Sequence, residues 1–155
     1  MHYLDKLIAT CEVAKKTSSI RELIISYVRE LENLDGIKKA IYIIEETSTN
    51  KETLFNDFVT YKKLKLRACA KANSPSSILY VGSSTTGVKK RIEQHLGYGP
   101  EKTYALHLKH WLKDLVNIRI SVKEFDAPSE VIQLIEDSLS YDLRPAFGKR
   151  GGNNK

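Results

Sequence analysis

The chain has only two cysteines, Cys11 and Cys69, in 155 residues. Two thiols cannot build a disulfide framework, and neither has partners at zinc-finger spacing. No stretch approaches the roughly 18 consecutive apolar residues of a membrane span, so a membrane is not an expected partner. The opening Met1-His2-Tyr3-Leu4-Asp5-Lys6 lacks the basic-then-apolar order of an export signal, and the reducing cytoplasm is the expected location. There are no internal repeats. Acid is scarcest in the middle of the chain. No Asp or Glu stands between Asp57 and Glu93, while Lys62, Lys63, Lys65, Arg67, Lys71, Lys89, Lys90 and Arg91 all fall there.

That gap makes the charge distribution uneven. The formal net charge is +6; residues 1–36 carry five bases against six acids, and residues 37–155 carry twenty against thirteen. A long one-signed segment attracts polyanions, of which nucleic acid is the usual one, and a solvated lysine face is the plainer alternative. What the chain does have is 41% apolar residues at the length of a single domain, enough for one sizeable core.

The apolar spacing predicts the elements. Leu4, Leu7, Ile8 and Cys11 follow i, i+3, i+4, i+7 and predict a first helix. Ser19-x-x-Glu22 reads as a capping box opening a second, with Ile20, Leu23, Ile24, Tyr27, Val28 and Leu31 as its stripe and Asp35-Gly36 as its stop. Ala40-Ile41-Tyr42-Ile43-Ile44 predicts a buried strand. A helix-like segment follows with Leu54, Phe58 and Tyr61 on one side, broken at Asn73-Ser74-Pro75-Ser76. Ser77 to Gly82 predicts the second strand, and Gly87 to Leu96 another helix. Glu101 to Val116 reads as a strong helix with Tyr104, Leu108, Trp111, Leu112 and Leu115 inward; His107 and His110 then lie on its surface. Alternation through Ile118, Ile120 and Val122 predicts a third strand. Pro128 suits the first turn of a last helix bearing Val131, Leu134, Ile135 and Leu139. The expected fold is α/β (α+β): a small three-stranded sheet covered by helices, with residues 1–36 as an N-terminal helical packing element before a domain at 37–155.

The two tyrosine-bearing strands are the informative feature. Tyr42 in Ala-Ile-Tyr and Tyr80 in Tyr-Val-Gly are followed by Arg91 and His95 on one helix and by Glu136 on the last. This ordered set resembles the GIY-YIG nuclease family, over roughly residues 39–150. Leu79-Tyr80-Val81-Gly82-Ser83-Ser84 through Arg91-Ile92-Glu93-Gln94-His95-Leu96 is its most specific piece. The resemblance implies a mainly antiparallel sheet, an insertion at about 46–77 and two extra N-terminal helices. It implies a metal-dependent DNA endonuclease using Mg²⁺ or Mn²⁺, with Tyr42, Tyr80, Arg91, His95 and Glu136 as catalytic residues and Glu136 as the metal ligand. Arg91 and His95, four apart, share a helix face, so Arg91 can hold the scissile phosphate while His95 takes a proton from water. The tyrosines can hydrogen-bond the phosphate or the water, and Glu136 offers the hard oxygen that Mg²⁺ prefers. Lys62, Lys63, Lys65, Arg67, Lys71, Lys89, Lys90, Lys149 and Arg150 are the expected DNA contacts. A homodimer is an open possibility for its assembly.

Two departures stand out. Ala40 replaces the first glycine of the family's first motif, and Gly148 stands where many members carry an asparagine after a proline; Asn153 and Asn154 lie further along the tail. The alternative is therefore a nucleic-acid-binding module on the same fold with weak or no catalysis. Taken singly, each residue also has a plain structural role: a sheet tyrosine, a surface arginine, a helix-end histidine, a solvated carboxylate.

Overall fold

The computed structural model describes residues 2–48 and 50–149. The sheet in it has four strands: β1 (Arg21–Ile25), β2 (Ala40–Glu46), β3 (Ile78–Ser84) and β4 (Ile118–Glu124). Their order is β1-β4-β2-β3, with every neighbouring pair antiparallel. The helices are α1 (His2–Lys16), α2 (Lys51–Lys63), α3 (Val88–Leu96) and α4 (Ser129–Leu143), with 3-10 segments at Val28–Leu34 and Leu108–His110. The class is α+β.

β2 is a central strand with both faces covered, and its alternation sorts the core into two layers. Ala40, Tyr42 and Ile44 join Leu54, Phe58, Ile92, Ile120 and Val122 in the larger cluster. Ile41 points the other way, to Phe125, Val131 and Ile132, with Ala14 of α1 and Ile135 and Leu139 of α4 packed against them. Pro128 stands just before α4, and Arg144 closes that helix in a left-handed conformation.

Two predicted helices are not helices. Residues 19–31 form β1 and enter the first 3-10 segment, so residues 1–36 supply the fourth strand and are not a separate helical element. Ser19 Oγ does donate to Glu22 Oε1 at 3.1 Å, but no helix follows. Pairing with β4 satisfies this backbone instead, and Arg21 and Glu22 face Glu124 and Lys123 across the register. Their ion pairs are at 3.1 and 3.9 Å. The apolar residues of Arg-Glu-Leu-Ile-Ile suit a strand as well as a helical stripe, and the partner strand decides.

Residues 101–116 hold only the short 3-10 segment. Extended pairing with the segment after α2 excludes a helix: Ala68 N donates to Glu101 O, Ala70 N to Ala105 O and Ala105 N to Ala68 O. His107 adopts a left-handed φ of 51° there. Trp111 Nε1 donates back to Leu106 O at 2.7 Å.

The 46–77 segment belongs to the core. Phe58 of α2 meets Trp111 edge-on with ring centres 5.3 Å apart and lies 4.2 Å from the Phe147 ring. Phe55 stacks on Phe147 at 5.6 Å. Phe58→Ala should therefore lower the unfolding free energy by about 3–5 kcal/mol, because the cavity left is walled by rings that cannot collapse into it. Urea unfolding of the two proteins measures the loss.

Candidate active site

Tyr42 and Gly82 stand opposite each other across β2 and β3. A Cβ on residue 82 would lie 2.5 Å from Tyr42 Oη and 2.8 Å from Tyr80 Cε1. Glycine is thus required: its bare backbone is the floor over which the Tyr42 phenol reaches towards β3, an edge strand of the sheet. The Tyr42 and Tyr80 rings run nearly parallel, 5° apart, with centres at 6.1 Å. Burial raises both hydroxyl pKa values, Tyr80 to about 12 and Tyr42 further. Both are therefore neutral phenols that can donate a hydrogen bond.

α3 supplies Arg91 and His95. Arg91 donates to Tyr80 Oη at 3.4 Å, to Tyr104 O at 3.0 Å and to Gln94 Oε1 at 3.0 Å. Burial works against its charge, but the two tyrosine oxygens hold its pKa above the usual value. His95 is wholly buried. Leu106 N donates to its Nδ1 at 3.2 Å. A backbone N–H can only donate, so in the neutral ring Nε2 carries the hydrogen and donates it to Tyr42 Oη at 3.1 Å. Burial, with Arg91 and His107 nearby, keeps the His95 pKa well below its ordinary value. His95 is expected to take a proton from water; in this structure its Nδ1 is occupied by Leu106 N, its Nε2–H meets Tyr42 Oη, and no part of the ring reaches solvent.

α4 brings Glu136 to the same place from the other side of the sheet. Ser83 Oγ donates to its Oε1 at 2.7 Å and Gln133 Nε2 to its Oε2 at 3.1 Å. Burial raises the carboxyl pKa while these two hydrogen bonds oppose the shift. A polar cavity of about 160 Å³ wraps β3 here, lined by Tyr42, Tyr80, Gly82, Ser83, Arg91, Gln133, Glu136 and Lys149.

Comparison of the chain with protein-family models, with curated proteins and with solved structures finds no match in any of the three.

Four of the five residues expected to be catalytic therefore line one cavity, and the fifth lies behind Tyr42. Ser83 and Gln133 were not anticipated. Gln133 could have been found from its position one helical turn before Glu136, and Ser83 from its place directly after the glycine. Among the described residues, no cluster of three or more His, Cys, Asp and Glu side chains is placed to hold a metal ion. A single carboxylate with neighbouring hydroxyl and amide oxygens fits a hard, largely hydrated cation such as Mg²⁺, which completes its shell with water and phosphate.

The predicted DNA contacts divide. Lys149 reaches the cavity. Lys63, Lys65, Lys71 and Lys90 are exposed. Lys62 donates to Ala70 O at 3.1 Å, Arg67 to Gly99 O at 3.1 Å, and Lys89 pairs with Asp35 at 2.8 Å, so these three also hold the fold. Arg150, with Asn153 and Asn154, lies outside the described residues. Gly148 is buried at a φ of 102°, donates to Lys71 O and accepts from Asn73 Nδ2; its place in the chain is conformational. His107 is corrected from helix surface to a buried staple, whereas His110 is exposed as expected, on the short 3-10 segment. His107 Nε2 lies 2.9 Å from both Ala68 O and Thr103 O, and His110 Nε2 lies 3.0 Å from Gly97 O.

A histidine whose folded pKa lies below its unfolded one makes stability complete above about pH 6.5 and declining below it, by up to about 1.4 kcal/mol per pH unit. His107, lowered mainly by burial, acts in the same sense, and the raised Glu136 carboxyl acts against them. Unfolding measured between about pH 5 and 7.5 should show stability falling on acidification, with a slope shallower by about one proton in His95→Gln. Equal slopes would mean that the His95 ring titrates alike in both states.

Proposed function

We propose that the protein is a metal-dependent DNA endonuclease that hydrolyses phosphodiester bonds at the cavity beside β3, on a GIY-YIG-like fold. One observation carries the reading. Two neutral tyrosines, a fixed guanidinium and a hydrogen-bonded carboxylate, from four separate elements, converge on a polar cavity. This set supplies two things that hydrolysis of a phosphodiester uses: charge stabilisation on the phosphoryl oxygens and a hard oxygen ligand for a cation.

Arg91 binds a non-bridging oxygen of the scissile phosphate; its contacts to Tyr80 and to the Tyr104 carbonyl hold the fork in place before substrate arrives. Tyr42 accepts from His95 Nε2–H, which leaves its own O–H to donate into the cavity, where negative charge grows in the transition state. Ser83 and Gln133 aim the Glu136 carboxylate, and a carboxylate has lone pairs beyond the two they occupy. When bound there, Mg²⁺ or Mn²⁺ would polarise a phosphoryl oxygen. Lys149 adds positive charge at the same cavity.

Purified protein incubated with supercoiled plasmid and Mg²⁺ or Mn²⁺ should nick it, and chelator should stop the reaction. Glu136→Ala should abolish cutting while DNA binding persists, and Tyr42→Phe should slow single turnover by about 10²–10³-fold, the usual loss for one oxyanion donor. Undiminished cutting by purified Glu136→Ala would remove the carboxylate from the mechanism. Binding without any cutting by the wild type would favour the inactive binding module.

The exposed lysines give a separate expectation. Replacing Lys63, Lys65 and Lys71 with Gln should flatten the dependence of log K on log salt by up to about 2–3 units if all three meet phosphates. The loss of affinity should be alike on unrelated duplexes, because point charges carry no base information. Coincident slopes would make this stretch a solvated face.

A further inference from the structure

The turn after α2 carries an unusual pair. Leu64 and Leu66 are 60% and 61% exposed, each flanked by bases in Lys62-Lys63-Leu64-Lys65-Leu66-Arg67. The turn that presents them is anchored. Leu64 N donates to Tyr61 O and Lys65 N to Lys62 O, with Lys65 itself at a left-handed φ of 56°. The Lys62 ammonium is tied to Ala70 O and the Arg67 guanidinium to Gly99 O. Two large apolar side chains are therefore held out in water by a braced, positively charged loop.

Their position relative to the candidate active site gives the pair a direction. Leu66 shares an open depression with four bases, Lys62, Lys65, Arg67 and Lys102, with one acid, Glu101, and with Tyr104. The Tyr104 carbonyl is the group that Arg91 grips. A nucleic-acid backbone running from Arg91 across Tyr104 would reach Leu66 first, between Lys65 and Arg67, with Leu64 two residues before it in the same turn.

We propose that Leu64 and Leu66 form a wedge that enters a base step of the DNA, unstacking it and kinking the duplex beside the cleaved phosphate. Apolar wedges bordered by bases do this in minor-groove binders: flanking charges grip the phosphates while the side chains part the bases. Charge complementarity and continuity with Arg91 favour DNA over a lipid surface, which a basic loop with exposed leucines would also suit. The inference rests on the reading of the cavity as a DNA site.

The test compares wild type with Leu64→Ser/Leu66→Ser, both exposed positions whose change leaves the core intact. Short duplexes carry 2-aminopurine as a stacking reporter and end labels for distance, and one of them contains a mismatch. Wild type should raise the 2-aminopurine signal and shorten the end-to-end distance. The variant should do neither, while its salt dependence is unchanged because no charge was altered. It should bind intact duplex roughly tenfold more weakly and recover most of that loss on the mismatched duplex, where unstacking is already cheap. A variant that unstacks and bends DNA like wild type overturns the wedge, as does wild type that binds DNA without bending it; both leave the nuclease reading standing. If wild type binds no DNA at low salt, the DNA reading of the cavity fails and the wedge with it. Phosphatidylserine vesicles form the last arm: binding by wild type that the variant loses, with no unstacking of DNA, assigns the leucines to a lipid surface and overturns the proposal.

Discussion

The Tyr42 phenol can cross Gly82 only because no side chain stands there, and the whole candidate site is arranged around that passage. The ring is buried on the larger-core side of β2, yet Tyr42 lines the cavity beside β3, with its oxygen over Gly82. His95 holds the oxygen from behind, and Tyr80 lies parallel alongside. A bulkier residue at 82 would displace both tyrosines at once. A candidate site at the edge of a sheet is thus built from the strands' own register, on rigid elements and not on loops.

The segment between the two tyrosine strands is as structural as it is basic. α2 places Phe58 against Trp111 and Phe147, and residues 68–73 then hydrogen-bond in two directions. Through Ala68 and Ala70 they fix the loop that supplies Tyr104 O to Arg91 and Leu106 N to His95. Through Lys71 O and Asn73 they fix Gly148 and so deliver Lys149 to the cavity. What reads in sequence as an insertion carrying charge is also the brace that positions groups at both ends of the site.

Burial decides which groups can change charge. His95, Tyr42 and Tyr80 are all enclosed, and each is held in its neutral form. The formal charges at the cavity are those of Arg91, Glu136 and Lys149, with Arg91 steadied by the tyrosine oxygens. This division gives a polar site whose donors are preorganised, the arrangement that loses least to reorganisation when charge develops on a bound group.

Local pattern was enough for elements whose own side chains dictate them. α3 and α4 follow their apolar stripes, the central strand β2 its β-branched run, and β4 its alternation; α1 is a helix as expected, but Leu4 and Ile8 of its stripe are exposed and Ala14 is what it packs on the core. The order of Tyr42, Tyr80, Arg91, His95 and Glu136 likewise pointed to four residues that line the cavity and to His95 behind Tyr42. Spacing along the chain cannot say what satisfies a backbone, and there the sequence was ambiguous. Residues 21–25 become a strand because β4 offers its edge, and residues 101–105 form a turn and a single bridge because Ala68 and Ala70 hydrogen-bond to Glu101 and Ala105. The surroundings of His95 were hidden for the same reason. Its distance from Arg91 follows from helical pitch, but the donor on its Nδ1 comes from Leu106, on a loop that no pattern within α3 could foretell. Sequence by itself determined which residue types are available and which faces must be buried; tertiary structure alone decided which hydrogen-bonding groups face one another, because those partners lie far apart along the chain.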